Sequence, residues 1–329
     1  MTPTRASLTR ADLAPLARAA VGPQRTLVAV ARLPGGSKKG VYRLAFDDGT
    51  TAIAYVWSPR EDYWSQPDAD PRDPFSHASG LGLFTAAHDR LSALGIRTPH
   101  LLLADPDRTY LPAEAAVVED VAGGSLEDAL HRDPDTARAA LERLAETLGA
   151  LGAHQGPGFG KVALVDNGGT SHGGSCEQLV TDRALGDIDE VAARDPRAAQ
   201  AREVLREAVG SLAAEVRSRS RHPLVHGELG PDHVLLTPDG DPAIVDIEGL
   251  MYFDAEWEHV FLRLRFGRHY DALRAPGLDE SRLRLYTLAM HLSLVAGPLR
   301  LLDGDFPDAG VMRAIAEYNL VRALDLIGR

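Results

Sequence analysis

The stretch Leu224–Gly249 reads L-V-H-G-E-L-G-P-D-H-V-L-L-T-P-D-G-D-P-A-I-V-D-I-E-G. Two β-favouring runs, Val234–Thr237 and Ala243–Val245, flank Asp239-Gly240, a dipeptide that favours the turn of a β-hairpin. With Asp239 and Gly240 as the two central turn residues, His233 is expected opposite Asp246 at the open end of the hairpin. Glu228 lies five residues before His233, on a loop held by Gly227, Gly230 and Pro231. One loop carboxylate, one imidazole and one strand-end carboxylate are therefore expected in a compact frame, able to handle protons or a metal ion.

In spacing this stretch resembles the catalytic segment of the aminoglycoside phosphotransferase and choline kinase-like family of small-molecule kinases. The family pattern H-G-D-L-x-x-x-N-V-L, a turn, then I-D-W-E, stands here as H-G-E-L-G-P-D-H-V-L and V-D-I-E. The resemblance implies an α+β, two-lobed protein-kinase-like fold, with a small, mainly antiparallel β N-lobe and a larger helical C-lobe. It also implies transfer of the ATP γ-phosphoryl group to a hydroxyl of a small molecule. By position, Glu228 stands for the catalytic-base Asp, His233 for the metal-binding Asn, and Asp246 for the second metal-binding Asp, which is unchanged. ATP and Mg²⁺ are the implied cofactors, with Mn²⁺ the alternative, because imidazole suits it better than Mg²⁺.

Each residue carries a bland reading beside the chemical one. Glu228 has one methylene more than Asp, a shift in reach of about one C–C bond, and misplacement on that scale costs about 100-fold in rate. A loop ion pair is its other reading. His233 is either a ligand or only a hydrogen-bond partner of Asp246. A carboxylate ending the apolar A-I-V run needs a partner, since burying it alone is expensive. Glu248 is a second ligand or a support. His226 is expected to prop the loop. Asp254 and Glu258 lie one helical turn apart on one face and are expected as supports or caps.

Upstream, Thr26–Leu33, Val41–Phe46 and Thr51–Trp57 read as strands around the glycine loop P-G-G-S-K-K-G, Pro34–Gly40, and helix Thr9–Val21 precedes them. Helix Leu81–Leu94 ends at Gly95, and strands Pro99–Ala104 and Ala115–Val121 follow. The resemblance places the nucleotide on Gly35, Gly36, Lys38 and Lys39 of the loop and on the backbone of the hinge Val118–Gly123, including Glu119 and Val121. It also implies a third-strand lysine paired with a helix glutamate, and both are missing. The chain has lysine only at 38, 39 and 161, the third-strand slot falls at or beside Tyr55, and Leu81–Leu94 contains no Glu. Losing both partners avoids a lone buried charge. Lys38 and Lys39 are either the replacement or a solvated loop tip.

Ser58–Gly80 is rich in Pro, Asp and Ser and is expected as disordered or as a mobile flap. From Ser125 onward the expected elements are helices Thr136–Gly152, Glu177–Ala193, Pro196–Ser218, Phe253–Phe266, Ser281–Leu302 and Asp308–Ile327, with Phe159–Cys176 as a glycine-rich loop. The expected lobes are residues 1–121 and 122–329.

The 329 residues suit two cores, and 44% apolar with 25% charged residues is ordinary for a globular chain. The net charge of -12 invites neither nucleic acid nor an anionic membrane. Cys176 is the only cysteine, so no intrachain disulfide forms. Met1–Ala14 lacks a signal-peptide core, and Leu283–Leu302 is interrupted by Arg284, His291 and Pro298, so the cytoplasm is the expected compartment. The expected partner is a small hydroxylated substrate. Two other function classes stay open: a pseudokinase that binds nucleotide without turnover, and a metal-dependent hydrolase built on His226, Glu228, His233 and Asp246.

Overall fold

In the computed structural model the described residues are 5, 7–64, 70–133 and 137–328. Residues 65–69 of the expected flap and Thr136, the expected start of a helix, lie outside them. The described residues form two compact units. One takes the described residues up to 64, with 75–133, 137–144 and 231–249, and the other takes 70–74, 145–230 and 250–328.

The first unit begins with helix α1 (Arg10–Val21), capped by a reciprocal Thr9–Asp12 pair. Strands β1 (Leu27–Arg32), β2 (Gly40–Phe46) and β3 (Thr51–Trp57) follow, then helix α2 (Leu81–Ala93) and strands β4 (Leu101–Asp105) and β5 (Glu114–Glu119). The strands form one antiparallel sheet in the order β1-β2-β3-β5-β4. The middle strand β3 is buried on both faces, which is why its sequence T-A-I-A-Y-V-W shows no polar alternation. Ala52, Ala54 and Val56 share a core with Leu13 and Leu16 of α1. Tyr55 and Trp57 point the other way, each with its ring 5.6 Å from that of Phe84 on α2. Gly95 takes φ +70° after α2, and Ile96 N donates to Leu91 O at 2.9 Å, the expected glycine stop.

The hairpin belongs to this unit, one residue away from the expected register. Val234 pairs with Ile244 and Leu236 with Pro242. The loop holds three residues, not two. Gly240 N donates to Thr237 O and Thr237 N to Asp241 O, both at 2.9 Å, and Gly240 takes φ +80°. Pro238 is the reason. It has no N–H with which to close a two-residue loop, whereas its fixed φ suits the second position of a type I turn followed by a left-handed glycine. The strand Val234–Leu236 also bonds back to the segment after β5. Gly123 N donates to Leu236 O, and Leu236 N to Gly124 O, both at 2.8 Å. A Cβ at Gly123 would meet the Leu236 and Thr237 carbonyl oxygens, so only glycine fits.

The second unit is helical. Its long helices are Cys176–Ala192, Pro196–Glu215, Ala255–Phe266, Glu280–Leu302 and Ala309–Ile327. Glu280–Leu302 is long and apolar enough by composition to cross a membrane, but 61% of its most apolar window is buried in the protein, as in a core helix. Part of the expected loop Phe159–Cys176 is regular structure instead. Gly160–Lys161 pairs with Met251–Tyr252, which pairs in turn with Leu224–Val225, and Val162–Val165 is a helical turn. The apolar V-A-L-V run explains this, and the glycine-rich character begins only beyond it. Asp254 precedes Ala255–Phe266 but does not cap it. Its buried carboxylate accepts instead from Arg219 Nε at 2.9 Å, Arg282 Nη1 at 2.7 Å and the Tyr286 hydroxyl.

Candidate active site

In the first unit the glycine loop starts where β1 ends. Leu33 N donates to Val41 O at 2.8 Å, closing the loop's neck. Gly35 takes φ +101°, and a Cβ on Gly36 would fall 2.6 Å from Lys39 O, so the loop folds back on itself there. The described part of the expected flap is packed against it. Tyr63 N donates to Ser37 O at 2.9 Å, Trp64 Nε1 to Ser37 Oγ at 3.1 Å, and Ser79 Oγ to Lys38 O at 2.9 Å. Glu61, buried against Gly40, takes Arg32 at 2.8 Å and the Tyr42 hydroxyl. Aromatic side chains and a paired carboxylate make Ser58–Trp64 an ordered strap, which the Pro and Asp content of the segment conceals.

This fastening turns Lys39 inward. It is 6% exposed, with Nζ 2.6 Å from both Asp246 Oδ1 and Glu248 Oε1, and 5.2 Å from the Tyr55 ring centre. Burial pulls the ammonium down, but the Asp246 and Glu248 carboxylates outweigh it and hold Lys39 above the ordinary lysine value. Trp57 Nε1 also donates to Glu248 Oε1, at 3.3 Å. Lys39 thus stands beside Tyr55, at or next to the slot where the resemblance implied a strand lysine, and its carboxylate partners come from 207 and 209 residues away. Lys38 is less buried and lies near enough to help lower Asp246.

In the observed register His233 faces Val245, whose N–H donates to His233 O at 3.0 Å. Asp246 reaches the imidazole by another route. Its φ of +60°, uncommon for a residue with a Cβ, turns the backbone after the strand. His233 Nε2 then lies 4.0 Å from Asp246 Oδ2. Burial raises the Asp246 carboxyl, but Lys39, then His233 and Lys38, hold it well below the usual range. Among the described residues, buried Glu248 Oε2 has no hydrogen-bond partner. That orphaned oxygen, the half-exposed Asp246 and the nearby imidazole form a donor set that fits a divalent cation.

Glu119 and Val121 lie at the end of β5. Glu119 N–H donates to His100 O at 2.9 Å, its carboxylate takes Arg97, and Val121 is buried.

In the second unit Glu228 is exposed, directly after Gly227 at φ +88°. Glu258 holds this loop from beneath, accepting from Gly227 N at 2.6 Å. Burial pushes the Glu258 carboxyl up to about 7, against the Gly227, His226 and Leu229 amides, and the Glu228 charge adds to the rise. His226 is buried, and its Nδ1 accepts from Glu228 N at 3.3 Å, as a prop would. A second group with ligating chemistry, Cys176, His222 and Asp254, was not legible from spacing. Asp254 is already committed to two arginines there, and burial, with Asp254 and Glu177, pushes the Cys176 thiol up, so a metal would have to displace the arginines.

A five-stranded antiparallel sheet with a glycine loop, a separate helical unit and an H-G-E-L loop running into a V-D-I-E hairpin define a kinase-like phosphotransferase fold. The chain belongs to the phosphotransferase enzyme family (APH), whose model matches residues 33–291. Among solved structures it resembles a thermostable mutant of aminoglycoside phosphotransferase APH(4)-Ia (TM-score 0.61, 17% identity, covering 90% of this chain and 95% of that one). It also resembles choline kinase LicA from Streptococcus pneumoniae (TM-score 0.60, 14% identity, 92% and 94%). A third is a putative fructosamine-3-kinase from Thermobifida fusca (TM-score 0.55, 19% identity, 94% and 98%). No curated protein matches the sequence.

Proposed function

We propose that this chain transfers the γ-phosphoryl group of ATP to a hydroxyl of a small molecule. The observation that carries the reading is Lys39, a buried lysine at the end of the glycine loop, paired with the Asp246 and Glu248 carboxylates. Phosphoryl transfer depends on positioning and charge stabilisation more than on covalent chemistry. Lys39, with Lys38 next to it in sequence, supplies positive charge for the phosphates, and the loop backbone around Gly35 and Gly36 covers them. Asp246, with Glu248 and His233 beside it, would hold Mg²⁺ or Mn²⁺. Bound there, the ion would neutralise charge on the phosphates. Glu228, exposed on a loop fixed by Glu258, orients the acceptor hydroxyl and takes its proton. The backbone around Glu119 and Val121 is the adenine contact. Related structures support the nucleotide: APH(4)-Ia was crystallised with ADP and hygromycin B, and LicA with AMP.

Nucleotide binding without turnover is the second reading. What favours it is that Lys39 closes on Asp246, the residue the metal needs. Calorimetric titration with ATP and adenosine, with and without Mg²⁺, tests the nucleotide site. Mass analysis of hydroxylated metabolites and antibiotics incubated with ATP then separates kinase from pseudokinase. Metal-dependent ATP binding together with a phosphorylated product is the expected result.

A further inference from the structure

The donor set that fits a divalent cation already surrounds a cation of the chain itself. Lys39 Nζ makes 2.6 Å contacts with Asp246 and Glu248, but the two partners are not equivalent. The Glu248 side chain is 4% exposed and is also fixed by Trp57 Nε1 at 3.3 Å. The Asp246 side chain is 35% exposed, with its second oxygen 4.0 Å from His233 Nε2. One partner is locked in place, and the other faces solvent and an imidazole. An ammonium and a divalent ion compete for the same carboxylates and repel each other at contact distance.

We propose that Lys39 is an exchangeable internal counter-ion. When a divalent cation binds, Lys39 gives up Asp246, stays on Glu248, and presents its freed N–H to the nucleotide phosphates. Without metal, the lysine leaves neither carboxylate buried and unpaired. With metal, the same movement assembles the phosphate grip, so the grip and the metal site form together. Glu248 thereby anchors the lysine, a task the resemblance gave to a glutamate that α2 lacks. The exchange rests on the phosphotransferase reading only for its last step, the turn toward phosphate.

The test uses Mn²⁺ alone, with no nucleotide, its affinity read by electron paramagnetic resonance. Lys39→Met removes the competitor and leaves Asp246 and Glu248, so it should bind Mn²⁺ at least about tenfold more tightly than wild type. Lys39→Arg keeps the charge and should stay near wild type. Unchanged or weaker Mn²⁺ binding by Lys39→Met, or no binding by either protein, would overturn the exchange. Wild-type protein gives an independent check if Lys39→Met does not fold. With only three lysines in the chain, lysine-labelled protein shows three side-chain resonances, and Lys38→Arg helps assign them. Saturating Mg²⁺ should shift the Lys39 signal, and an unmoved signal would contradict the proposal. AMP-PNP titration of wild type probes the phosphotransferase reading separately. Tighter Mn²⁺ binding by Lys39→Met with no nucleotide binding by wild type would remove that reading and leave the exchange standing.

Discussion

Lys39 Nζ and Glu248 Oε1 lie 2.6 Å apart, both side chains buried, although 209 residues separate them in sequence. The pair joins the end of a loop to the end of a hairpin, while β3 carries no lysine and α2 no glutamate. Lys39→Met should weaken ATP binding about ten- to 100-fold, the worth of a lost charge-assisted hydrogen bond, and adenosine binding by less than about twofold. Lys38→Ala should have the smaller effect on ATP. Equal losses for ATP and adenosine in Lys39→Met would mean that the lysine does not touch phosphate.

Breaking the same pair should also destabilise the first unit. Two carboxylates would be left without their ammonium, and Glu248 is almost fully buried. Lys39→Met should therefore lose about 3 kcal/mol in urea unfolding. Asp246→Asn leaves the lysine on Glu248 and should cost less, while abolishing the Mg²⁺ dependence of ATP binding. Undiminished Mg²⁺ dependence in Asp246→Asn would rule out Asp246 as a ligand.

Glu258 gives stability a pH dependence of defined sign. Its carboxyl is raised from 4.5 to about 7 in the folded chain, first by burial, against the opposing loop amides. Between those values the native state holds more protons than the unfolded one. Its contribution is therefore fully present below about 4.5 and is lost as pH rises through about 7. The loss is on the order of 3 kcal/mol. Glu258→Gln keeps an acceptor for Gly227 N and removes the titration. Urea unfolding at pH 5 and pH 8 should show wild type losing more stability than Glu258→Gln, and parallel losses would contradict the shift.

Gly123 is a steric prediction. Its Cα faces the Leu236 and Thr237 carbonyl oxygens, so Gly123→Ala must push the hairpin strand away or lose the 2.8 Å bond from Gly123 N to Leu236 O. A loss of about 2 kcal/mol is expected in thermal or urea unfolding. A neutral substitution would show that the strand is not held there.

Much of this was legible in the sequence because it is local. Thr51–Trp57 has the bounds read from its residues, and Gly95 stops α2 where a glycine stop was expected. The hairpin was legible, but its register was not, because Pro238 moves the turn by one residue and Asp239-Gly240 then occupies its last two positions. His233 and Asp246 still lie near each other, through a left-handed backbone at Asp246 that no residue pattern announces. Lys39 was visible as a candidate, yet a loop-tip lysine and a buried one look alike until Asp246 and Glu248 are placed beside it. The strap from Glu61 to Trp64 was hidden by the polar composition around it. A Tyr-Trp pair next to an acidic residue was the available signal.

In the proposed phosphoryl transfer Glu228 is the base. Glu228 keeps the negative charge of the Asp in the resembled H-G-D-L pattern, although His233 stands where that pattern has Asn, and a carboxylate is what the proposed proton transfer needs. Glu228→Gln preserves shape and removes the base, while Glu228→Asp should also lose activity if the loop has adapted to the longer side chain. The most direct measurement is single-turnover transfer from γ-labelled ATP to a panel of hydroxylated metabolites and antibiotics, for wild type and Glu228→Gln. The expected result is a phosphorylated product from wild type, reduced about 100-fold or more in Glu228→Gln with ATP affinity nearly unchanged. Wild-type protein that binds ATP yet yields no product, or a Gln variant as fast as wild type, would contradict it.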